Sequence, residues 1–284
     1  NIILTMEQKI LTTLFLFLFC ISQGFSQNKG TFNSQTSFGF IENKGQIHDQ
    51  NFKTNQSVKY LFPTGKGLNV QLKKNGFSYD FYRLALKSTT DQKVAGTKQV
   101  IVPKHTLNLH RIDIEFLNSN PNAVIEAVDQ LPTYLQFQEQ GEVQQYQKVM
   151  YKNIYPMIDV VFYANQTTQQ MKYDFVVHPG GDYHQIKLSF KGYTNGKLVD
   201  NHLQLTHSLG TLNEIIPDSW VEESGKKIDV NYTAVETNEG QMQVGFHVNN
   251  YDDLGQTLVI DPEPLMVWGT YLGDSLVTIA TSVT

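Results

Sequence analysis

The 284-residue sequence is 40% hydrophobic and 12% aromatic and carries a net charge of −5. That composition belongs to a folded chain and excludes a disordered one. The mild acidic excess removes the electrostatic case for nucleic acid or anionic lipid as a partner, and the length suits a single large β domain.

The first methionine is Met6, so Asn1–Thr5 reads as upstream translation or an imprecise start. Lys9 precedes the almost entirely apolar Ile10–Ile21, and Ser22–Ser26 offers small residues for cleavage before Gln27. This is the pattern of a secretory signal peptide over residues 1–26. The apolar run is too short for a membrane span, which needs about 20 such residues. The single cysteine, Cys20, lies inside that run behind Phe19, where a lipid-anchoring cysteine would follow a small residue. The cleaved chain then has no disulfide, which suits a domain held by core burial alone.

Residues 27–37 form a polar, flexible leader. Order is expected from Phe38, with short strands at Val58–Phe62, Gly67–Leu72 and Phe77–Tyr82. Leu68, Val70 and Leu72 share one face, with Asn69, Gln71 and Lys73 on the other. Lys74-Asn75-Gly76 reads as a hairpin turn of the type that needs positive φ at both central residues. Ser88–Gly96 is polar and reads as an exposed loop. In Leu107–Phe116 the alternation changes phase at His110-Arg111, the mark of a β-bulge or of an imperfect face. Val124–Val128 and Thr133–Phe137 are strands, and Gln138–Gln147 a polar connection.

The central stretch is Tyr151–Phe190. Asp159–Tyr163 and Met171–Val177 flank the polar Asn165–Gln170 and predict an antiparallel hairpin. A Pro179-Gly180-Gly181-Asp182 turn leads into a third run, Gln185–Phe190. Further strands are Leu203–Thr206, Leu212–Ile216, Lys227–Glu236, Gln241–Val248 and Thr257–Ile260. Many short strands at close spacing, without a helical stripe, predict an all-β domain of antiparallel, β-sandwich-like architecture over residues 38–264. Asp261-Pro262-Glu263-Pro264 reads as its boundary, since prolines end strand pairing. Residues 265–284 cannot bury a face of their own and read as the truncated start of a further unit.

Four motifs in order, Phe40–Gln46, Tyr151–Asp159, Lys172–Gly180 and Leu258–Pro262, resemble the amino-terminal domain of unknown function that precedes SBBP-type β-propeller repeats in bacterial cell-surface proteins. Trp268–Gly273 is similar to the opening of the first such repeat, although Asp274 stands where a second glycine is usual. The resemblance implies a secreted or surface-displayed protein of a Gram-negative bacterium, associated with type IX secretion, gliding or adhesion, and packed on a downstream propeller. It implies no established activity.

The residues themselves offer little chemistry. Asp159 and Asp174 lie on the two arms of the hairpin and, in one register, would face each other as the paired carboxylates of a glycoside hydrolase. The alternative is that Asp159 orders the turn after Pro156 and Asp174 faces solvent, with nothing to raise either pKa. His178 and His184 bracket Pro179–Asp182 but match no zinc spacing, nor do His202 and His207. Gly65-Lys66-Gly67 opens no helix, and Asp252-Asp253 lacks the alternating ligands of a calcium loop. Tyr151, Tyr155, Phe162, Tyr163, Tyr173 and Phe175, with Trp220 and Trp268, are either a sugar-stacking row or, as aromatics usually are, core. The expectation is a non-catalytic structural or adhesion module with no catalytic residue, metal or cofactor, whose partner is an unknown surface component or glycan. The second reading is a carbohydrate-binding module or hydrolase.

Overall fold

The computed structural model describes residues 38–267, apart from 50, 52, 65–66, 93–99, 167–169, 238–239, 250 and 252–254. The expected signal segment, the leader, Asp252-Asp253 and Trp268–Gly273 lie outside the described residues. The strands are β1 (Phe40–Glu42), β2 (Val58–Pro63), β3 (Leu68–Lys73), β4 (Gly76–Gln92), β5 (Val100–Phe116) and β6 (Val124–Phe137). Then come β7 (Gly141–Tyr155), β8 (Ile158–Asn165), β9 (Gln170–Val177), β10 (Leu188–Lys191) and β11 (Asn195–Val199). The chain finishes with β12 (His202–His207), β13 (Gly210–Val221), β14 (Val230–Glu236), β15 (Met242–Val248) and β16 (Leu258–Val267).

The all-β expectation holds. The strands join into one antiparallel sheet in the order β11-β12-β13-β16-β9-β8-β7-β1-β2-β3-β4-β5-β10-β15-β14, with β6 added along β7. The sheet rolls until its ends nearly meet, making an almost closed barrel. At the seam, Ile228 N–H donates to Ser219 O and Val221 N–H to Lys226 O. Side chains bridge it too: Asn201 Nδ2 donates to Val230 O (3.1 Å), its Oδ1 accepts from Tyr232 N–H (2.6 Å), and Tyr232 Oη donates to Ile215 O (3.3 Å).

The core follows from alternation. In β8 Ile158, Val160 and Phe162 are buried, and in β9 every second residue from Met171. The inward rows meet across the barrel, where Phe77 stands 5.2 Å from both Phe162 and Tyr173, and Phe116 meets Tyr151 and Phe175. Tyr151, Tyr155, Phe162, Tyr173 and Phe175 are thus core, as aromatics in such rows usually are. Tyr163 points outward, and Trp220 is half-buried.

Several local expectations change. The β3–β4 hairpin forms, but Lys73 pairs with Gly76, so its central residues are Lys74 and Asn75, neither with positive φ. Gly76 is needed for space instead: a Cβ there would lie 2.1 Å from Ile114 O. No bulge occurs at His110-Arg111, where β5 keeps its register with β4. The phase change marks the point where the hairpin leaves the core: Ile112, Ile114 and Phe116 point inward, while Leu109 lies on the outward face. Ser88–Gln92 is strand paired with Val100–Lys104, and Gly141–Gln147 begins β7. Val124–Val128 and Thr133–Phe137 are one strand interrupted by a register shift. Pro262 and Pro264 do not end pairing. Being two residues apart, both turn their missing donors to one edge, and β16 keeps its ladder with β13 through Val267. Its ladder with β9 covers only Leu258–Ile260.

Candidate functional site

The hairpin β8–β9 sets the geometry. Asp159 pairs with Val176 and Asp174 with Val161, so the two carboxylates share the outward face but are offset by two residues and do not oppose each other. Each has other partners. Asp159 accepts from Asn153 N–H (2.6 Å) and binds His178 Nε2 (2.9 Å), ordering the turn at Pro156 as one reading foresaw. Among the described residues no group of three or more His, Cys, Asp or Glu is placed to hold a metal ion. His184 turns to Asp182 (2.8 Å), and His207 stacks on Phe81 with ring centroids 3.9 Å apart.

Asp174 lies on the outward face but is only partly exposed, because β16 runs beside it. Extending the β9–β16 register by one step, from Ile260↔Phe175, brings Asp261 opposite Asp174. Like charges directly opposed across a ladder repel, and burial makes the repulsion worse. The pair resolves this by holding a proton. Burial, and then the charge of Asp261, push the Asp174 carboxyl up to about 8. Asp261 is raised as well, chiefly by burial and against the pull of Lys172. Asp261 Oδ1 is buried without a hydrogen-bond partner, and the burial that raises both acids favours a proton held by the pair.

Three more side chains complete the cluster. Tyr163 Oη donates to Asp174 Oδ1 (3.0 Å). Lys172 Nζ lies 3.3 Å from Asp261 Oδ2 and 3.0 Å from Glu263 Oε2. Burial works against the ammonium, but Glu263 and Asp261 outweigh it and hold the Lys172 pKa above its ordinary value. The arrangement is an amine, an acid and a shared-proton carboxyl pair packed on one outward patch of the wall.

A second acidic group lies inside the barrel. Glu214 is fully buried and accepts from Tyr79 Oη (2.8 Å) and Tyr173 Oη (3.1 Å). Burial pushes its carboxyl up to about 7, opposed by the two hydroxyl donors.

Sequence reasoning missed Asp261, Lys172, Glu263 and Glu214. For three of them a signal was present: Lys172 and Asp174 alternate with buried residues along β9, and Asp261 and Glu263 flank Pro262 with the same period. Residues 40–263 match the model of the domain of unknown function DUF7948. The chain belongs to the DUF7948 family. No curated protein and no solved structure matches it. Within the described part of this DUF7948 chain, no helix is long and apolar enough to cross a membrane.

Proposed function

We propose that this DUF7948 domain is a non-catalytic structural or adhesion module of an exported protein, displayed at the surface of a Gram-negative cell. In this reading the rolled sheet packs as a β-sandwich and the chain continues into SBBP-type propeller repeats, with type IX secretion as the route.

The observation that carries the reading is the long β4–β5 hairpin. Its pairing runs on past the core to Gln92 and Val100, and β3 and β10 stop flanking it at Phe81 and Asp113. A two-stranded ribbon on its own is marginal in water. Its outward face carries Tyr82, Leu84, Leu107 and Leu109, of which Leu84 is 50% and Leu109 65% exposed. Exposed apolar side chains on the outward face of this hairpin are suited to contact with a partner surface. The carboxylates serve the fold, since Asp159, Asp174 and Glu214 all have intramolecular partners.

The test is protease accessibility of the protein on intact cells, together with adherence of cells carrying Leu84→Asp/Leu109→Asp. Surface exposure with reduced adherence in the variant is expected. Retention in the cytoplasm would end the reading. Selective binding on a glycan array, lost with an outward-face aromatic variant such as Tyr82→Ala, would favour the carbohydrate-binding alternative.

A further inference from the structure

The Lys172 cluster holds the parts of a condensation. An amine reacts with a carboxyl only if the two are held together, water is kept away, and the carboxyl is protonated. The geometry supplies the first two, and the burial that raises both Asp174 and Asp261 favours the third. Nζ of Lys172 stands 3.3 Å from Asp261 Oδ2, an ion-pair contact that holds the amine against the carboxyl whose Cγ it would attack. The two side chains are 18% and 8% exposed. Asp261 Oδ1 is buried without a hydrogen-bond partner, and Asp174, opposite it in the extended register, is the acid placed to hand it a proton. We infer that Lys172 and Asp261 become joined by an amide between Nζ and Cγ, an isopeptide cross-link that the domain forms on itself with Asp174 as the proton-transferring group.

The step balances within the cluster. Lys172 starts as an ammonium, so Glu263, 3.0 Å away, first takes one of its protons. Asp174 passes its proton to Asp261, making that carboxyl electrophilic. The Nζ lone pair forms the bond to Cγ, and the adduct gives a second Nζ proton to the ionised Asp174. The Cγ–O bond then breaks as the departing hydroxyl leaves with the proton held by Glu263, as water. Asp174 ends protonated and Glu263 ionised, as both began. The net change is one ammonium and one carboxylate converted to an amide and a water. Tyr163, hydrogen-bonded to Asp174 Oδ1, fixes the orientation of the acid.

The location has a structural logic. Backbone pairing between β9 and β16 covers Leu258–Ile260 alone, because Pro262 and Pro264 cannot donate. A covalent bond from Lys172 to Asp261 would hold the strands together where the ladder stops. The inference does not depend on surface display.

The experiment is peptide mapping and intact mass of the purified full chain, referred to its own observed amino terminus. The expected result is a mass short by one water, with a branched tryptic peptide joining Lys172 to Asp261. Lys172→Arg, which keeps the ion pairs, should carry no branch and should migrate differently from the parent on a denaturing gel. Asp261→Asn should expel ammonia instead and mature to the same mass as the parent. Asp174→Ala should lose the branch while keeping the β-sheet circular dichroism spectrum. A parent chain at full mass, with a linear peptide ending at Lys172, overturns the inference. So does a branch through Glu263, or one that forms unchanged without Asp174.

Discussion

Tyr79 Oη donates to Glu214 Oε1 at 2.8 Å in the middle of the barrel, where neither residue has any exposure. With Tyr173 on the other oxygen and Tyr232 buried nearby, an acid is enclosed by phenols. Burial, followed by the Glu214 charge, raises the hydroxyls of Tyr79 and Tyr173, so they remain donors. The buried acid is tolerated because both oxygens are hydrogen-bonded and because it can be neutral.

That gives a pH dependence with a definite sign. Glu214 ionises near 4.5 in the unfolded chain and near 7 in the barrel, so folding takes up a proton between those values. Its contribution is complete below about pH 4.5, declines as pH rises to about 7, and is level above that. A shift of that size corresponds to on the order of 3 kcal/mol. Urea unfolding at pH 5 and pH 8 should show the difference, and Glu214→Gln should reduce it. An equal pH dependence in parent and variant would remove Glu214 as its source.

Phe77 sits among Tyr79, Phe116, Phe162 and Tyr173, with centroids at 5.2–6.0 Å. With Phe116, it joins the β4–β5 side of the sheet to β8 and β9. Phe77→Ala should cost about 3–5 kcal/mol, since a cavity amid several rings cannot collapse without moving both walls. Phe77→Leu should cost less. Thermal unfolding of the two variants provides the comparison.

The β8–β9 hairpin was legible because burial alternates along β9 and through Phe162 in β8, and polar residues separate the strands. Asp159 could be placed at its turn for the same reason. The acidic cluster was not legible, because Lys172 and Asp261 are 89 residues apart and meet only once β16 lies beside β9. Local reasoning read Asp261-Pro262-Glu263-Pro264 as a terminator, whereas a strand edge with no need for donors accepts both prolines. The same limit hid Glu214. On β13 it occupies an inward position that pattern alone assigns to an apolar residue, and only the hydroxyls from β4 and β9 make it acceptable. Ser88–Gln92 was misread because its polar sequence carries no apolar alternation, although its backbone pairs with Val100–Lys104.

His207 titrates in the opposite sense. Burial first, then the nearby His110 and Arg83, push its imidazole down to about 4 from an ordinary 6.5. The ring therefore folds neutral, and its contribution is present above pH 6.5 and lost as pH falls toward 4. His207→Phe keeps a ring against Phe81 but gives up the bond from Leu209 N–H (3.3 Å). The variant should be less stable at pH 7, yet lose less on going from pH 6.5 to 4.5. A parallel loss in both proteins would assign the acid sensitivity elsewhere.

Asn201 tests how the barrel closes. The residue has φ of 61°, a left-handed conformation that asparagine tolerates better than most, and so can sit in the β11–β12 turn with its amide against β14. Its side chain there replaces a missing strand partner, accepting from Tyr232 N–H and donating to Val230 O. Asn201→Ala leaves both backbone groups without that partner and should cost about 1–3 kcal/mol. The damage should be local. Amides of β14 should exchange faster with solvent, while those of β8 and β9, at the far side of the sheet order, should keep their protection. Asn201→Gly should lose the same two bonds but relieve the backbone. Equal exchange at β14 in parent and both variants would show that the seam is held by Ser219–Ile228 and Val221–Lys226 without the asparagine.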